Sequence, residues 1–108
     1  MDISDWRRKI DEVDRKLVAL LGERARAVHE IGKLKAVSGL PVYEPDREKK
    51  VFENARGAND GTLSERDLVR IYERIVDVMR TSEMEVAAKK PGPGSGLGDT
   101  EIDPEVND

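Results

Sequence analysis

The chain has 108 residues, 39% of them charged and 4% aromatic, with no cysteine and a single histidine. That length fits one domain with a modest core, and the composition favours solvated helices over β-rich or base-stacking folds. Without cysteine there is no disulfide, thiolate nucleophile or cysteine-based zinc site, and one histidine leaves little room for nucleophile–base pairs or transition-metal sites.

The net charge of −4 is unevenly distributed. Residues 91–108, "PGPGSGLGDTEIDPEVND", hold five acids and no base, so residues 1–90 carry 19 basic and 18 acidic side chains. A positive site in this near-neutral part must be local, which suits a small anion better than a long polyanion. No basic stripe with interleaved aromatics is present, so nucleic-acid binding is not expected. The opening "MDISDWRRKI" has no apolar run behind a basic end. Neither a signal peptide nor a membrane span is expected, and a cytoplasmic location follows as the default.

Apolar residues recur at Trp6, Ile10, Val13, Leu17 and Leu20, then at Ala27, Ile31 and Leu34. Steps of four and three define a helical stripe, and Gly39 followed by Pro41 stops it, so a first helix is expected from about Ser4 to Ser38. At 1.5 Å per residue such a rod is about 50 Å long, more than its own short chain can cover, which points to an oligomer. Pro45 suits the first turn of a second helix, with Asp46 and Glu48 favouring its positive end and Glu48, Val51, Phe52 and Ala55 on one face. "GANDGT", residues 57–62, reads as a loop. Ser64 and Asp67 resemble a capping box opening a third helix, with Leu68, Ile71, Ile75, Val78 and Ser82 as its expected inner face. That helix should fade near Lys90. The expected organisation is thus a helical domain over residues 1–90 and a disordered Gly/Pro-rich acidic tail over residues 91–108. With the chain ending at Asp108, a stand-alone protein is the simpler expectation.

The residues that could carry chemistry are mainly cations. Arg24 occupies a step of the stripe where an apolar side chain is due. It could snorkel or pair with Glu23 or Glu30 at the stripe's edge. Lys35, eleven residues on, returns to within about 20° of the same direction, so both cations could enter one cleft. Arg47 lies in the first turn of the second helix beside Glu48, a carboxylate at a buried edge that needs a cation or a hydroxyl. A solvated Arg47 within an ordinary helix-start pattern is the alternative. Arg7 and Arg8 lie about 25 Å from Arg24 along a straight helix, too far to share a small ligand within one chain, although an antiparallel partner helix would remove that difficulty. His29, with Gly22, Arg26 and Lys33 as helical neighbours, reads as a solvated surface residue. No G-x-G-x-x-G, P-loop or distinctive carboxylate pair is present. Inward cations suit the grip of a dianion and a reaction that needs positioning and electrostatics without a nucleophile.

"WRRKIDEVDRKLVALLGERARAVHEIGKLKAVSGLPVYEPDRE" with "IYERIVDVM" resembles the all-helical class of chorismate mutase over roughly residues 5 to 85. The most specific parts are the I-D-x-x-D-x-x-L-x-x-L-L-x-x-R pattern, "EIGKLK" and "PVYEPDRE". The resemblance implies an all-α fold of three-helix chains intertwined as a homodimer, each site completed by the partner. It also implies the Claisen rearrangement of chorismate to prephenate, on the way to phenylalanine and tyrosine, with neither cofactor nor metal. By the same resemblance, Arg24 and Arg47 of one chain and Arg7 of the other grip the substrate carboxylates, while Lys35 also reaches the ether oxygen. Glu48 takes the ring hydroxyl, with Glu44 bordering it. Two positions depart from a common pattern in that family, in which a Ser and a Gln four residues apart line the site; the matching places here hold Met79 and Glu83. Glu83 could donate to the ether oxygen only when protonated. Isochorismate-pyruvate lyases share the architecture and a similar cation set, but "GKLK" and "VYEPDRE" look more like the mutase branch. A non-catalytic helical dimer that binds a partner or an aromatic metabolite is the other alternative.

Overall fold

A computed structural model describes residues 1–89, which form three helices: α1 (Ile3–Ser38), α2 (Pro45–Ala58) and α3 (Glu65–Ala88). The expected acidic tail lies outside the described residues. α3 packs against both α1 and α2. The result is an elongated body of 57 × 33 × 16 Å with a radius of gyration of 17.7 Å, against about 13 Å for a compact chain near this length.

Each helix end follows from local chemistry. Asp2 and Asp5 form a reciprocal capping box, each accepting the other's backbone N–H at 3.0 Å. The helix therefore begins at Ile3, one residue earlier than the apolar stripe suggests. At its far end the amide of Gly39 donates to the Lys35 carbonyl with φ at 69°, a left-handed conformation that a residue with a Cβ adopts only with strain. α2 starts on Pro45 and runs to Ala58, through the first two residues expected in the loop. The loop proper is tied by Asn59 Nδ2 donating to the Leu63 carbonyl and by Asn59 Oδ1 and Asp60 Oδ1 accepting from the amides of Gly61 and Thr62. Ser64 Oγ accepts the Asp67 amide at 3.1 Å and opens α3.

Within one chain the core is slight. Val76 is the only buried hydrophobic residue among the described residues, while Trp6, Ile10, Val13, Leu17, Leu20, Ile31 and Leu34 along the α1 stripe remain 46% to 67% exposed. The stripe is present as expected, but no element of its own chain covers it. The inner face expected for α3 is corrected in part: Leu68, Ile75 and Ser82 are half-buried, Ile71 and Val78 are exposed, and Val76 with Met79, Arg80 and Glu83 lines the cleft. The side chains at 75, 78 and 82 and those at 76, 79 and 83 form two apolar-leaning faces about 100° apart, and hydropathy alone did not single out the one that lines the cleft. His29 is likewise corrected. It is half-buried, with Nε2 2.6 Å from Ser82 Oγ, a hydrogen bond between α1 and α3 that places it away from open solvent.

Gly39 and the exposed α2 residue Gly57, whose added Cβ would meet nothing within 4 Å, give opposite expectations. Gly39→Ala should cost about 1 kcal/mol and Gly57→Ala should gain about 0.5 to 1 kcal/mol. Chemical denaturation of the two variants, compared at equal protein concentration, checks both signs.

Candidate active site

A cleft of about 320 Å³ opens between α1, the 39–44 loop, α2 and α3, within the range of small-molecule sites. Arg24 and Lys35 reach it from α1, Glu44 from the loop, Arg47 and Glu48 from α2, and Met79, Arg80 and Glu83 from α3. Of the eight residues singled out in the sequence, seven therefore line one cavity. Arg7 is the exception: it is exposed near the start of α1 and does not border the cleft within its own chain.

Lys35 is the one buried charged residue among the described residues, at 8% exposure. Its ammonium donates to the Val42 carbonyl at 2.9 Å and sits 3.1 Å from Glu44 Oε1 and 2.9 Å from Glu83 Oε2. Glu44 occupies the N-cap position of α2 but makes no capping hydrogen bond, so its carboxylate is left for Lys35. The contact with Glu83 Oε2 is a close ion pair between two largely buried side chains. Burial acts to lower the Lys35 pKa, but the two carboxylates outweigh it and hold the value above that of an ordinary lysine. Lys35 stays charged in the folded protein through the neutral range. The stability contributed by this raised pKa is fully present below the ordinary lysine pKa and is lost only as pH climbs through the raised one.

Gly32 explains how Glu83 comes so close. A Cβ at Gly32 would lie 3.1 Å from the Glu83 carbonyl oxygen and 3.2 Å from its Cγ, so α3 settles on α1 where the side chain is missing.

A second charge cluster lies across the cleft. The Arg80 guanidinium donates from Nε to Glu48 Oε2 at 2.7 Å and from Nη2 to Glu48 Oε1 at 2.9 Å, and its Cζ stands 5.0 Å from the centre of the Tyr43 ring. Glu48 raises the Arg80 pKa further, against a smaller opposing effect of burial. Arg24 and Arg47 differ from these cations. Glu30 is taken by Lys33 at 2.9 Å, and among the described residues neither Arg24 nor Arg47 has a carboxylate within ion-pairing distance. The cleft thus holds two satisfied cations and two available ones.

Residues 6–84 match the model of the family described as chorismate mutase type II. The chain belongs to that family. It is 30% identical over 96 residues to a bifunctional chorismate mutase/prephenate dehydratase of Aquifex aeolicus, with 85% of this chain covered and 26% of the relative. This chain therefore spans about a quarter of that relative's length. It is 26% identical to the chorismate mutase of Methanocaldococcus jannaschii, over 69% of this chain and 77% of that one. The structure of chorismate mutase (form II) from Thermus thermophilus superposes with a TM-score of 0.73 at 32% identity, covering 75% of this chain and 92% of that one.

Arg80 is the cleft residue that sequence reasoning missed. It lies one turn beyond Val76, on the face that hydropathy assigned outward. The signal available was Glu48, a carboxylate on an apolar face whose partner had to come from somewhere.

Replacing Lys35 by Met strands Glu83, whose side chain is 13% exposed, and should cost about 3 kcal/mol. An unpaired buried carboxylate takes up a proton more readily in the folded state, so the deficit should shrink as pH falls. The Lys35→Met, Glu83→Gln double variant should recover part of the loss. Thermal melts in acidic and neutral buffer check all three expectations.

Proposed function

We propose that the chain catalyses the rearrangement of chorismate to prephenate as a homodimer whose two sites are each completed by the partner. The observation that carries the reading is the cleft's division of charge: Arg24 and Arg47 lack carboxylate partners among the described residues, beside the buried ammonium of Lys35. A small dianion meets two available guanidinium groups and one ammonium there. Family membership supports the same substrate.

The reaction is an isomerisation in which one ether C–O bond breaks while one C–C bond forms, with the electron pairs moving around a six-membered ring. No atom leaves and no proton must transfer. The site's work is to hold the two carboxylates so that the reacting ends meet, and to stabilise negative charge growing on the ether oxygen. Arg24 and Arg47 take the carboxylates, and Arg7 of the second chain joins them. Lys35 turns from Glu44 and Glu83 toward the ether oxygen and a carboxylate when the substrate enters, Glu48 accepts the ring hydroxyl, Glu44 borders it, and Met79 gives an apolar wall where a hydroxyl contact is more usual. Glu83, ion-paired to Lys35 at 2.9 Å, can donate to the ether oxygen only with a proton on its carboxylate. Dimer formation is supported by the uncovered α1 stripe, since one buried hydrophobic residue is too little to stabilise a chain of this length. Among the described residues no helix is long and apolar enough to cross a membrane. A cytoplasmic location belongs to the same reading.

Incubation of the purified protein with chorismate, and separately with isochorismate, tests the reaction by product analysis. Prephenate from chorismate, reduced about a hundredfold or more in Arg24→Ala, is the expected result; pyruvate from isochorismate alone would establish the lyase instead. If Glu83 donates to the ether oxygen it must be protonated, so kcat/KM should then rise from about pH 8 toward about pH 5, and Glu83→Gln should flatten the profile. A flat profile in the parent protein would remove the proton from the mechanism. Light scattering should give twice the chain mass, and a well-folded monomer at micromolar concentration would sink the shared site.

A further inference from the structure

Arg80 lines the cleft with the other cations, yet it is not free to grip an anion. Its Nε and Nη2 are both committed to Glu48, and its Nη1 leans toward Asp77 at 3.9 Å, one turn back on α3. Two carboxylates therefore answer its one charge, whereas Arg24 and Arg47 have none among the described residues. The two parallel hydrogen bonds are the strong, directional form of an arginine–carboxylate pair. Tyr43 packs beside the guanidinium, so the fork is held from the loop as well as from α3. An ionised carboxylate has about four lone-pair positions, of which the fork uses about two. The others remain on a group that borders the cleft, with its side chain 23% exposed.

From this arrangement we propose that Arg80 is a positioning residue that fixes the rotamer of Glu48, and so makes this end of the cleft selective for a substrate with a free ring hydroxyl. The inference rests on the mutase reading and assigns the source of its selectivity at one position. Held by a guanidinium fork, Glu48 can only accept a hydrogen bond, and only from a narrow direction. A ligand lacking the hydroxyl leaves that acceptor unanswered, and polar sites reject such ligands more strongly than apolar pockets reject a change of size. Without Arg80, Glu48 could rotate toward Arg47 or toward water. The hydroxyl would then lose its partner while the carboxylate clamp stayed intact.

The test compares chorismate with its analogue bearing hydrogen in place of the ring hydroxyl. In Arg80→Met, which keeps the bulk and removes the fork, kcat/KM for chorismate should fall about tenfold, chiefly through KM, while the value for the deoxy analogue changes less than about twofold. Glu48→Gln should show the same selective loss, and the double variant little more than either alone. Equal loss on both substrates would overturn the proposal, because it would make Arg80 an anion grip or a general structural support. No loss on either would overturn it too. Should Arg80→Met fail to fold, Arg80→Lys, which keeps a charge but cannot fork, is read by the same ratio, and an unchanged ratio refutes the role. A parent protein that turns over neither substrate defeats the mutase reading itself, a separate outcome from active protein whose discrimination is untouched.

Discussion

An ammonium removed from water must find compensating charge and acceptors nearby, and Lys35 finds them in two other parts of the chain. The Val42 carbonyl and the Glu44 carboxylate come from the loop after α1, and Glu83 comes from α3. One buried cation thereby fixes where the loop turns and where α3 lies along α1. Gly32 makes the arrangement possible by letting the α3 backbone approach, and the uncapped N-terminus of α2 releases Glu44 for the same purpose. Local helix-end chemistry is given up at Glu44 in favour of the site. That exchange is what turns three helices into a cleft.

The consequence is a sorting of charge. Acids answer the cations that hold the cleft together, Lys35 and Arg80, and the cations available to a ligand, Arg24 and Arg47, are left unanswered among the described residues. Arg24 and Arg47 need little reorganisation when a dianion enters, because among the described residues they have no internal partner to give up. It also accounts for the slight hydrophobic core. The inner volume that apolar side chains would fill is partly the cleft, and the long apolar stripe of α1 is left exposed, where a second chain would cover it.

The helices themselves were largely legible, because capping, proline and glycine signals are local: Gly39, Pro45 and Ser64 each mark an end where the structure has one. Arg24 and Lys35 were legible as a pair through helical spacing, since both belong to one helix. What could not be read was the rotation of α3. Ile75 and Val78 offer as good an apolar face as Val76 and Met79, and the choice is made by tertiary contacts with Gly32 and Lys35. The omission of Arg80 follows from that rotation, and the error at His29 from reading α1 alone, because Glu48 and Ser82 are partners supplied by a neighbouring helix. Glu48 posed the question in sequence, and only the packing of α2 on α3 answers it.

On this account a complete site needs the available guanidinium groups of one chain and Arg7 of another. The most direct measurement is complementation: refolding Arg7→Ala and Arg24→Ala chains together at equal amounts and assaying the mixture. Each mixed dimer would contain one intact site and one doubly impaired site, so random pairing gives about a quarter of the parent activity from two nearly inactive proteins. Activity no greater than the sum of the two variants measured alone would contradict the shared site.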